Sequence, residues 1–163
     1  MTPTPQPVGP GQESVWDYPR PPRVEPTAEL VVVTLGGLPV ASTADAVRVL
    51  ETSHPPVYYL PFDAFDPGVL EAAVGSSVCE YKGVAEYVSV RVGGRLLSRV
   101  GWTYPAPMPG YEVLADRVAL YADDLTCTVD GERVQPQAGG YYGGWITSRV
   151  VGPFKGSPGS RGW

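Results

Sequence analysis

Cys79-Glu80-Tyr81-Lys82 places a thiol, a carboxylate, a phenol and an amine on four successive residues. On a strand, alternation sends Cys79 and Tyr81 to one face and Glu80 and Lys82 to the other. A cleft on the second face would meet a carboxylate and an amine two positions apart, a pair suited to giving and taking protons. The competing account of Glu80 and Lys82 is an ion pair on a solvated face. Cys79 turned inward would need a base to become thiolate, and the single histidine, His54, stands just before Pro55-Pro56. A buried cysteine acting as a small apolar filler is the commoner case.

A second group is Asp45, Arg48 and Glu51, spaced by three. Such spacing on a helix yields local pairs of only ~0.2 to 0.5 kcal/mol, so a solvated face is the plain reading. The functional one turns Arg48 inward as a clamp for a carboxylate or phosphate, with Glu51 supporting it. Tyr59, Trp102, Tyr104 and Trp145, with Tyr58 and Tyr87, supply rings with polar tips. That is the composition of a cleft that stacks a flat ligand, and equally of a small domain filling its core. For Trp16 packing is the favoured role. Nucleotidyl transfer would call on Gly75-Ser76-Ser77 as a phosphate cradle and Asp123-Asp124 as metal ligands, both ordinary turn strings otherwise.

The elements that must position these groups read mainly as strands. Leu30–Thr34 and Leu38–Ala41 flank Gly36-Gly37 as a hairpin, and Glu86–Val92 and Arg95–Trp102 flank Gly93-Gly94 as another. Ser77–Lys82, Val57–Leu60, Val118–Tyr121, Leu125–Val129 and Glu132–Gln135 read as further strands. A short helix is expected from Ser42 or Thr43 to Leu50, with Ala44, Val47 and Leu50 on one face. Asp66–Ala73 is expected to form one or two helical turns opened by Asp66 and Pro67. Residues 1–12 read as an extended or disordered leading segment, 13–151 as a single β-rich domain, and 152–163 as a flexible tail. The proline-rich Ser14–Pro22 is expected to lie as a strap against the body.

Composition limits the function classes. Nineteen prolines and 20 glycines would suggest disorder, but apolar residues at 43% occur in strand-like runs, which a folded, turn-rich domain explains. The net charge of -5 opposes phosphate backbones, so nucleic acid is not an expected partner. No run is long and apolar enough to span a bilayer, and the first residues do not resemble a signal peptide. The expectation is a cytoplasmic protein with no membrane partner. Cys79 and Cys127, 48 positions apart, have no CxxC spacing, so neither a zinc knuckle nor any metal ligand set is expected.

Glu13 to Pro22 (ESVWDYPRPP), Arg48 to Pro61 (RVLETSHPPVYYLP), Cys79 to Gly83 (CEYKG), Trp102 to Pro105 (WTYP), Val129 to Gln137 (VDGERVQPQ) and Gly139 to Thr147 (GGYYGGWIT) together resemble a bacterial family, domain of unknown function 427. That family carries a nucleotidyltransferase-like label. The resemblance implies a β-tent-like fold, in which two small antiparallel sheets meet at an angle, and no established reaction. Many β-tent domains pin their sheets with a four-cysteine zinc site, and this chain lacks the two CxxC pairs. The expected fold is therefore mainly β, two small antiparallel sheets in a tent-like arrangement with one or two short helices and no zinc.

The leading functional expectation is a domain binding a small molecule, or an enzyme acting on one, with no cofactor. Tyr59, Trp102, Tyr104 and Trp145 would stack the ligand, and Arg48, Glu51, Glu80 and Lys82 would orient or protonate it. The alternatives are a non-catalytic module whose rings bind a protein or peptide, and a metal-dependent nucleotidyltransferase.

Overall fold

A computed structural model describes residues 2–163. Its strands in chain order are β1 (Glu13–Ser14), β2 (Arg23–Thr27), β3 (Val31–Leu35), β4 (Leu38–Thr43), β5 (Ala46–Leu50), β6 (Val57–Pro61), β7 (Leu70–Cys79), β8 (Gly83–Val92), β9 (Arg95–Thr103), β10 (Arg117–Leu120), β11 (Thr126–Val129), β12 (Glu132–Arg133), β13 (Gln135–Pro136), β14 (Trp145–Ile146) and β15 (Val150–Val151). Seven of them form one open sheet in the order β2-β5-β6-β10-β9-β8-β7, and four form a second in the order β12-β11-β3-β4. Of two further small pairs, β1-β15 brings the start of the folded chain to its end and β13-β14 closes the glycine-rich loop between them. The mainly β fold expected from the sequence is the one found, built as several sheets, none of them closed. No helix among the described residues is long and apolar enough to cross a membrane.

Both glycine pairs turn as their chemistry requires. Gly36 and Gly37 sit at φ 58° and 81°, and Gly93 and Gly94 at 59° and 77°. These left-handed angles in both central positions match the strand twist and cost glycine little. The meander β7-β8-β9 follows, with Val92 paired to Arg95 across the second turn.

The short helical pieces lie elsewhere than expected. They are 3-10 turns at Val15–Asp17, Phe62–Ala64 and Glu112–Asp116. The segment read as a helix from Ser42 or Thr43 to Leu50 holds the end of β4, the bend at Ala44-Asp45 and strand β5, which is flanked by β2 and β6 and buried along its whole length. The threefold spacing was coincidental, because Ala44 is exposed and the operative period is two. Val47 and Val49 face one side of the sheet, Ala46 and Leu50 the other. Two β-branched valines on a strand with both faces covered outweigh a weak helical pattern. Asp66–Ala73 likewise makes one turn, Val69 N–H donating to the Asp66 carbonyl, before Gly68 at φ 83° leads the chain into β7.

Alternation on the large sheet creates two layers. Tyr58, Leu60, Val88, Val90, Val118 and Leu120 face the four-stranded sheet, meeting Val31, Val33, Cys127 and Val129 in the main core. Their sequence neighbours Tyr59 and Ala119 face the opposite side with Ala85, Trp102, Tyr104 and Leu114. That outer layer holds the cleft described next. The strap Glu13–Tyr18 packs Val15 and Tyr18 onto Leu50 and Val150, and residues 152–163 return to it, Trp163 lying 5.6 Å from Trp16.

Candidate functional site

The outer layer is not sealed. Between the β7-β8 turn, Tyr59 of β6, Trp102 of β9 and the Tyr141-Tyr142 loop lies a cleft of about 240 Å³. Seven tyrosines (59, 81, 87, 104, 121, 141 and 142) and Trp102 line it, so its wall is mostly ring faces carrying hydroxyls. Such a wall offers apolar contact and directional hydrogen bonds together.

Local structure explains how the groups converge. β7 ends at Cys79, and Glu80, Tyr81 and Lys82 are the turn into β8. Strand alternation therefore stops at Cys79, and all four residues line the cleft instead of dividing between faces. Lys82 is fixed by its carbonyl, which accepts the Met108 N–H at 2.9 Å. Its Nζ stands 5.7 Å from the Tyr104 ring centroid, within cation–π range. Trp102 donates its indole N–H to the Tyr59 hydroxyl at 3.1 Å, and Tyr121 donates to the Tyr141 carbonyl at 2.8 Å. The glycine-rich loop can come this close because Gly143 lacks a side chain. A Cβ there would fall 2.4 Å from Cη2 of Trp102.

The far wall is built by the strap. The Val15 carbonyl accepts the Ser53 N–H at 3.0 Å, and the Ser53 carbonyl accepts the Lys155 N–H at 2.8 Å. This chain of bonds sets His54 and Lys155 side by side at the cleft. Lys155 Nζ lies 5.4 Å over Tyr142, and His54 meets the same ring edge-on at 4.6 Å.

Gln137 decides the histidine's tautomer. Its Oε1 accepts the Gly144 N–H, and its Nε2 donates to the Lys155 carbonyl and to His54 Nδ1. Nδ1 is therefore the acceptor nitrogen, and the ring proton sits on Nε2, 3.7 Å from Glu51 Oε2. Burial, with the charges of Lys155, Arg20 and Lys82, pushes His54 down from 6.5 to about 3. The imidazole is neutral throughout the physiological range. Burial likewise raises the phenols of Tyr59 and Tyr104 above their ordinary value, so both are protonated donors.

Six of the eight residues singled out from the sequence line this cleft: Glu51, Glu80, Lys82, Tyr59, Trp102 and Tyr104. Arg48 and Trp145 do not. Arg48 is fully buried beneath the strap, bonded to both carboxylate oxygens of Glu13 and at 2.7 Å to Glu25. Its guanidinium is thus held by carboxylates of the protein itself, and not by a cleft ligand. Trp145 is a core residue, stacked on Tyr58 at 5.2 Å and donating to the Leu120 carbonyl. Glu51 is shared between Arg20, at 3.3 Å, and the vicinity of His54.

Sequence reasoning missed Lys155, which carried no local signal, and His54 as a wall residue. Tyr141 and Tyr142 were visible as rings on a glycine loop, a pattern that marks either anchors or ligand contacts. Gly75–Ser77, considered as a phosphate cradle, lies within β7. Asp123 and Asp124 lie in the loop after β10, outside the cleft. Among the described residues no three His, Cys, Asp or Glu side chains come together in a metal-binding group.

Residues 23–135 match the family model described as "Domain of unknown function (DUF427)", which bears a nucleotidyltransferase-type short label. No curated protein matches the chain.

Proposed function

The chain belongs to the DUF427 family, and we propose that its tyrosine-lined cleft is a binding site for a small molecule. The observation that carries this reading is the cleft's wall: eight aromatic side chains around about 240 Å³, with two lysines and a histidine among them. Ligand sites are concave, mostly apolar and furnished with a few fixed polar groups, and this cleft combines those features. A cleft of about 240 Å³ suits a small ligand, and no group of carboxylates suited to hold a metal stands among the described residues, so the label of the family is not the reading favoured here.

Lys82, Tyr104, Tyr59 and Trp102 would contact the ligand, and Glu51 and Glu80 would orient it from the rim. Catalysis at this site would fall to Glu51, Glu80 and Lys82 as proton donors or acceptors. Arg48 and Trp145 are assigned to stability.

A thermal-shift screen over metabolites and nucleotides tests the reading. A ligand selective for the native state at a hundred times its Kd adds ~2.7 kcal/mol, or roughly 5 to 10 °C for a chain of this length. Lys82→Ala should keep the unliganded melting temperature and lose the shift; Trp102→Ala should also lose it. An unchanged ligand response in both variants would place binding elsewhere, and silence across the whole screen would favour a protein or peptide as the partner.

A further inference from the structure

Resting on the reading of the cleft as a ligand site, we propose that its ligand is a small single-ring aromatic anion. The ring lies among Tyr59, Trp102 and Tyr104, and the carboxylate or phosphate lies by Lys82, Lys155 and the Nε2–H of His54.

The inner charges of the cleft are positive. Lys82 and Lys155 are half-buried against rings, while Glu80 is exposed at the rim. Neither amine forms an ion pair with a side-chain carboxylate among the described residues; Lys155 Nζ donates to the Trp163 backbone oxygen at 3.3 Å, and Lys82 is the amine left for a cleft ligand. Glu51, the remaining carboxylate of the cleft, is engaged by Arg20. Two half-buried amines, one of them with no polar partner, leave N–H donors for an anion to accept from.

The hydrogen-bond polarity agrees. Gln137 holds the His54 proton on Nε2, so the imidazole offers a donor toward the cleft and keeps its acceptor occupied. Two ammonium groups can only donate. Three donors around the cleft, two of them charged, match the lone pairs of a carboxylate or phosphate. His54 reports the same field, since Lys155, Arg20 and Lys82 all add to the burial that disfavours its protonation. Glu51, beyond hydrogen-bond reach of Nε2 at 3.7 Å, does not offset them.

The ring follows from the walls. Lys82 lies over the Tyr104 ring, so a planar ligand set against Tyr59, Trp102 and Tyr104 would bring its charged group beside that amine. The cleft's modest volume suits a small ring.

The test is a titration of the full chain with benzoate, phenyl phosphate, benzamide and benzylamine, followed by amide and indole N–H resonances. The Trp102 indole should move, with those of Trp16 and Trp145 as controls. Benzoate or phenyl phosphate should bind roughly tenfold tighter than benzamide, a difference that one new charge-assisted contact supplies. Whichever of the two anions binds tighter identifies the headgroup. Lys82→Met should erase that preference, and Lys82→Arg should retain it. Benzamide or benzylamine binding as tightly as the anions would overturn the anionic assignment while leaving the cleft a ligand site. No movement of the Trp102 indole with any of the four would overturn the aromatic class, and together with silence in the metabolite screen it would remove the cleft reading too.

Discussion

Replacing Glu13 by glutamine removes the carboxylate shared by Arg48 and Arg149 and so tests what holds the strap to the sheet. Burial alone would raise the Glu13 carboxyl. Hydrogen bonds from Arg48 and Tyr18 and the charges of Arg48 and Arg149 outweigh it and hold the group at about 2, against 4.5 ordinarily. At about 1.36 kcal/mol per decade, the ~2.5 decades amount to ~3.4 kcal/mol. Since 31% of the side chain is exposed, solvent screening reduces this to roughly 2 kcal/mol. The folded value is the lower one, so the stabilisation is complete above pH 4.5 and disappears as pH falls toward 2. Urea unfolding of wild type and Glu13→Gln should differ by about 2 kcal/mol at pH 7, a midpoint shift of ~1 M for an m-value near 2. By pH 3 the difference should shrink to roughly two-fifths of that. A gap of the same size at both pH values would refute the reasoning, because it would show that the charge contributes nothing and only the shape of the side chain matters.

Other consequences are open to direct measurement. Trp145→Ala should cost about 3 to 5 kcal/mol in chemical unfolding, since it empties a core position between Tyr58 and Leu120; a loss below 1 kcal/mol would contradict its burial. Gly143→Ala combines a φ of 75° with a Cβ pressed against Trp102, so it should lower the melting temperature and weaken cleft ligands at least ~10-fold. For His54 the folded value of about 3 lies below the ordinary 6.5, so its contribution is present above pH 6.5 and is lost on acidification toward 3. Its ring resonances should show no titration between pH 8 and 5, and a midpoint near 6 would disprove the buried, cation-facing placement. His54→Gln should flatten the pH dependence of stability between 6.5 and 4.5, where Glu13 does not yet titrate.

Much of this protein was legible in the chain because the signals were local. Paired glycines between β-branched runs dictate hairpins wherever they occur, since only glycine takes both left-handed positions cheaply. Adjacent Tyr58 and Tyr59 had to face opposite sides of a strand, and Trp102, Tyr104 and the Cys79–Lys82 segment were marked by composition. Where periodicity was short it misled: five residues of β5 matched a helical spacing as well as a strand, and only their burial on both faces between β2 and β6 decided the matter. The cleft depended on assembly over long separations. Lys155 reaches it through Ser53 and the strap, and Arg48 is withdrawn from it by Glu13, 35 positions earlier. The sequence by itself determined a mainly β chain with turns at its glycine pairs and an excess of hydroxylated rings. Only the tertiary structure decided which of those rings surround an opening and which charges stand inside it, because strand pairing and ion pairing between distant segments leave no trace in local spacing.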